Sequence, residues 1–93
     1  MGPNLGITEA ELQRLRDISI HSIISVRETG RRIDMRCPLD GHNDSDPSFS
    51  LYPDNSYHCF GCGRHGNNAV DFIRDFTGKI NFVDILVELV QFL

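Results

Sequence analysis

No segment of this 93-residue chain combines the length and apolarity of a membrane span. The most apolar run, Phe82 to Leu93, is interrupted by Asp84, Glu88 and Gln91. It falls short of the roughly 20 residues that a bilayer-crossing helix needs. The opening MGPNLGITEAE lacks the basic-then-apolar order of a secretory leader. Internal repeats and low-complexity tracts are absent as well. Basic residues are outnumbered, 9 against 13 acidic, for a net charge of −4. Such a balance argues against strong nonspecific binding to nucleic acid. Cysteine is scarce. There are 3, and an odd number does not make a fully paired disulfide framework. Free thiols need a reducing compartment, so the expected location is the cytoplasm, with no membrane partner.

What cysteine there is lies in one stretch, CPLDGHNDSDPSFSLYPDNSYHCFGCGRHG, from Cys37 to Gly66. The same stretch holds His42, His58 and His65. Cys59 and Cys62 form a Cys-x₂-Cys knuckle with Gly63 behind it, a turn that aims two sulfurs at one point. A redox pair of the thioredoxin kind needs a helix directly after the motif. Gly63 and Gly66 oppose one. A tetrahedral zinc ion takes four nitrogen or sulfur ligands at roughly 2.0–2.3 Å. The predicted ligands are Cys37, Cys59, Cys62 and His42, which forms a looser knuckle with Cys37. His58 adjoins Cys59 on a strand and should face the other way. His65 would reach in only through a distorted loop, and Asp40 is an oxygen alternative. Catalytic zinc keeps three protein ligands and a water. Here four ligands are available and no glutamate is placed as a general base, so one structural Zn²⁺ is expected. A chain of this size buries only roughly 60–65% of its unfolded surface, which makes such a staple useful.

The flanking pattern predicts a small α+β domain, an antiparallel zinc ribbon flanked by short helices. Residues 1–7 form a flexible arm, residues 8–93 a single domain, and residues 31–66 its zinc core. Thr8 and Glu11 make a capping box for the helix TEAELQRLR. Ile20, Ile23 and Ile24 recur at helical spacing in a second segment, Ile18 to Val26, with His21 solvated. Thr29-Gly30 is a turn. Arg31 to Cys37 alternates, with Ile33, Met35 and Cys37 on one face and Arg32, Asp34 and Arg36 on the other. Ser48 to Tyr52 and Ser56 to Phe60 are the other two strands, joined at Asp54-Asn55, with Phe49 and Leu51 facing in. Asn67 or Asn68 caps a helix with the apolar stripe Ala69, Phe72, Ile73 and Phe76, which Gly78 ends. Asn81 caps the last helix, with Asp84 in its first turn.

These pieces together resemble the CHC2 zinc-finger domain at the N-terminus of bacterial and phage DNA primases. The likeness is carried by CP at Cys37, by His42 with PSF (Pro47, Ser48, Phe49) close behind, by YHCFGCGRHGN from Tyr57 to Asn67, and by the VDFI helix. RRIDMRC upstream and FVDILVEL downstream also match, so it covers about residues 18–90. The family usually has two residues between its first cysteine and histidine. Here four intervene. It also tends to Gly-Gly where this chain has His65-Gly66. The resemblance implies an excised N-terminal module that binds single-stranded template DNA and helps choose where an RNA primer starts. The polymerase centre is implied in a separate downstream domain, and its carboxylate cluster is not recognisable here. Phosphate contacts are then expected from Arg31, Arg32, Arg36, Arg64 and Lys79, and base stacking from Tyr57 and Phe60, with Tyr52 a further aromatic. A rival reading is a protein-interaction module whose apolar last helix docks a polymerase domain or replicative helicase.

Overall fold

The computed structural model describes residues 8–41 and 47–93. The predicted arm at residues 1–7 and the ligand His42 lie outside the described residues.

Capping decides where the helices begin. In α1 (Glu9–Arg16) the Thr8 hydroxyl accepts the Glu11 N–H at 3.2 Å, and the Glu11 carboxylate accepts the Thr8 N–H at 3.1 Å. α2 (Ile20–Ile23) is a single turn. It is shorter than the segment expected from its isoleucines, because Ser19 gives no side-chain cap and Ser25 takes the left-handed conformation (φ 56°). Asn68 caps α3 (Ala69–Thr77) by accepting the Asp71 N–H at 2.9 Å, and Gly78 ends it at φ 75°. Asn81 caps α4 (Phe82–Val90) by accepting the Val83 N–H at 2.9 Å.

Between the helix pairs lies one antiparallel sheet of β1 (Ile33–Met35), β2 (Phe49–Leu51), β3 (Tyr57–Cys59) and β4 (His65–Gly66), in that order. Each of β1, β2 and β3 is shorter than the alternation predicts. After Leu51 the chain turns back at once, the Tyr52 N–H reaching the Ser56 carbonyl at 2.9 Å. β4 was not expected. It pairs with β3 through Tyr57↔Gly66 and His58↔His65. The inner face packs on α3. Phe49, Tyr57 and Phe72 form a ring cluster with centroids 5.4–6.2 Å apart. Ile73, Ile85, Leu86, Leu89 and Leu15 extend this core.

His21 is a correction. It is 2% exposed and not solvated, covered within the isoleucine turn, with Nδ1 3.8 Å from the Glu28 carboxylate. The turn between β2 and β3 explains how that segment is held. Asn55, at φ 72°, accepts the Ile20 N–H and donates to the Ile18 carbonyl, both at 2.9 Å.

Candidate metal centre and nucleic-acid face

Three elements deliver the thiols. Cys37 follows β1, Cys59 ends β3, and Cys62 sits in the turn toward β4. Gly63, at φ 80°, closes that turn by donating its N–H to the Cys59 carbonyl at 2.7 Å. The three sulfurs all lie within 4.8 Å of one another. Tetrahedral bonds of about 2.3 Å would set them roughly 3.8 Å apart, so the cluster fits one thiophilic ion. Among the described residues, no histidine or carboxylate joins the group. His58 faces away, as the strand alternation predicts.

The thiols differ in how readily they ionise. Burial pushes the Cys37 thiol up to about 12, against the pull of the Leu39 backbone N–H. At Cys59 burial is outweighed by the Cys62 backbone N–H and by hydrogen bonds from Cys37 and Ser48, which bring the thiol down to about 6. Burial is thus the main reason that Cys37 holds its proton, while Cys59, with several donors aimed at its sulfur, gives its proton up more readily. Bound Zn²⁺ would supply the positive charge that lets all three ionise, tying the end of β1 to the knuckle.

The other face of the sheet is polar. Cross-strand register sets Asp34 beside Ser50, Ser50 beside His58, and His58 beside His65. Arg31, Arg32 and Arg36 are exposed, with Arg32 Nε 3.1 Å from Asp34 Oδ1. Phe60 is 63% exposed. The remaining predicted contacts separate from these. Tyr57 is 2% exposed and belongs to the core, where its ring packs between Phe49 and Phe72, so it is placed to support the sheet and not to meet a base. Tyr52 is half-buried. Arg64 and Lys79 share another cleft, about 280 Å³, with Asp40, Arg74 and Asp75. None of the three β1-side arginines lines it.

The sequence pattern gave no warning of the network behind that cleft. The Tyr57 hydroxyl donates to Asp75 Oδ2 at 2.6 Å, and Arg74 Nε donates to Asp75 Oδ1 at 3.1 Å. Arg64 Nη1 reaches the Asp75 carbonyl at 3.3 Å. Burial and the hydrogen bond to Asp75 hold the Tyr57 phenol well above its ordinary range. The available signal was generic. A buried tyrosine needs a partner for its hydroxyl.

The model of the CHC2 zinc-finger family matches residues 8–93. A DNA primase of Escherichia coli (strain K12) is 38% identical over 71 residues, 75% of this chain and 12% of that protein. The DNA primase of Salmonella typhimurium is 39% identical over 67 residues, 71% of this chain and 11% of that protein. The DNA primase of Lactococcus lactis is 35% identical over 74 residues, 78% of this chain and 11% of that protein. The chain thus spans about a ninth of the length of the curated relatives it matches.

Proposed function

The chain belongs to the CHC2 zinc-finger family, and on that premise we propose that it is the module of a DNA primase that binds single-stranded template and helps select the primer start site. One structural Zn²⁺ is held by Cys37, Cys59 and Cys62, with His42 as the fourth ligand. Polymerase chemistry belongs to another domain of the same protein, which acts as a partner alongside the template.

The observation that carries this reading is the exposed side of the sheet opposite the core, where Arg32, Arg36 and Phe60 are all exposed, with Arg36 at the knuckle end of β1 and Arg32 at its other end. Arg32 and Arg36 are four residues apart on one face, so extended backbone sets them roughly 13 Å apart, about the span of two successive phosphate steps in an extended strand. With an acidic chain, affinity should be modest and salt-dependent, with a slope of about 0.7 for each phosphate neutralised on a single strand. Arg32→Ala with Arg36→Ala should weaken binding of a labelled short oligonucleotide and flatten its salt slope, with zinc content unchanged. Binding that matches the parent at every salt concentration would move the template surface to Arg64 and Lys79.

A second reading draws on α4 and the residues just after it, where Val87 is 67%, Val90 51% and Leu93 61% exposed. Such a face suits docking to the polymerase domain or a helicase. Association through it would be nearly insensitive to salt.

A further inference from the structure

Two residues along a strand return to the same face, and here that rule puts His58 and Phe60 together outside the sheet. Their ring centroids are 4.2 Å apart with the planes 35° from one another. His65, brought alongside by β4, meets His58 edge-on with centroids 5.9 Å apart. His58 is half-buried between them, while Phe60 and His65 are exposed. Three π-systems therefore share one patch of surface beside the metal cluster, and the outer two have open faces. Exposed aromatic faces have little reason to gather on the polar side of a sheet unless something covers them, and flat, unpaired bases fit them.

We propose that Phe60, His58 and His65 form a platform on which successive unpaired bases of a single strand stack. The inference rests on the template-binding reading and adds to it the part of the surface that touches bases. Phe60 and His65 present the contact faces, and His58 is a positioning residue that fixes their relative tilt. Continuing the register by one residue sets Arg36 opposite Ser48 and Ser48 opposite Phe60, and the Phe60 N–H indeed reaches the Ser48 carbonyl at 2.8 Å. Two strand spacings, about 10 Å, then separate the arginine row from the platform. A strand crossing the ribbon can lay phosphates along β1 and turn its bases toward the rings. Stacking needs no charge on either imidazole and discriminates weakly among bases, since every base offers a π-face.

The test compares two oligonucleotides of equal length, one with all its bases and one an abasic sugar–phosphate strand, on the zinc-loaded chain. The parent should prefer the base-bearing strand by about five-fold or more per stacked base. Phe60→Leu and His65→Ala should each reduce that preference while binding the abasic strand as the parent does. Equal affinity of the parent for both strands overturns the platform but leaves the phosphate-binding face standing. A preference that survives in both variants also overturns it. If neither strand binds, the template reading itself falls and the platform with it. Metal content is measured in parallel. Loss of zinc from His65→Ala would make that ring a ligand and remove it from the platform.

Discussion

Tyr57 shows how one side chain can serve both the sheet and the helix. Its ring fills the space between Phe49 and Phe72, and its hydroxyl ends on Asp75, which Arg74 also grips. Gly66, the register partner of Tyr57, is required by the same packing. A Cβ there would lie 2.5 Å from Asp71 Cβ and 2.8 Å from the Tyr57 ring. Removing the hydroxyl by Tyr57→Phe should cost about 1–2 kcal/mol at neutral pH, the range for a hydrogen bond to a charged group less the relief of burying no phenol. The pH dependence has a definite sign. Because burial and Asp75 raise the folded-state pKa, the unfolded chain ionises first, near pH 10. Stability from this group is complete below that value and falls by about 1.4 kcal/mol per pH unit above it. Phenylalanine cannot ionise, so the gap between parent and Tyr57→Phe should narrow as denaturation is measured from about pH 9 to 11. A gap that widens would show that the hydroxyl is not the neutral donor of this pair.

The elements divide by how local their instructions are. Helices α1, α3 and α4 could be read from the sequence, because Thr8, Asn68, Asn81 and Gly78 act within a few residues of themselves. The Ile18–Val26 segment could not. Its isoleucines repeat at helical spacing, and Ile20 and Ile23 do bury, but only one turn closes. What holds it is 35 residues away in sequence, in the Asn55 side chain. Local pattern carries no trace of such a tie, and the burial of His21 follows from it. β4 escaped for a similar reason. Two residues, one of them glycine, show no alternation, and they become a strand only because β3 lies beside them. Asn55→Ala should destabilise the fold by about 2–3 kcal/mol, since it removes both hydrogen bonds and places a Cβ-bearing residue without a compensating amide in the left-handed region. Asn55→Gly keeps the backbone conformation at ease and should cost less, about 1–2 kcal/mol. Denaturant midpoints of the two variants, with amide exchange at Ile20 accelerated in both, would check the tie. Equal stability of Asn55→Ala and parent would show that the turn does not anchor α2.

At the scale of the whole molecule, the question is what keeps a polar ribbon attached to a helical core. Cys37, Cys59 and Cys62 could be grouped from spacing alone, since a Cys-x₂-Cys turn and one distant cysteine leave few other uses for three thiols. The proposed nucleic-acid face was only half legible, because the alternation around β1 places Arg32 and Arg36 outward, whereas the inward turn of Tyr57 and the separate cleft of Arg64 and Lys79 depend on how β4 and α3 meet. The apolar contacts do not close the ribbon by themselves. β1 is an edge strand of three residues, and both Ile33 and Met35 are only half-buried. Its firm attachment is therefore expected from Cys37, whose sulfur shares one cluster with those of Cys59 and Cys62. Binding of structural zinc contributes on the order of 10 kcal/mol to folding in small metallodomains, more than such a strand can gain from burial. Removing the metal with a strong chelator should release one zinc per chain and collapse the dispersion of amide signals from β1 to β4, while the capped α3 and α4 keep part of their helicity. His42→Ala should copy this result at lower chelator concentration, and His58→Ala and His65→Ala should not. Full retention of zinc by His42→Ala would return the fourth place to another residue, and a metal-free chain with native amide dispersion would show that the thiols do not hold the ribbon.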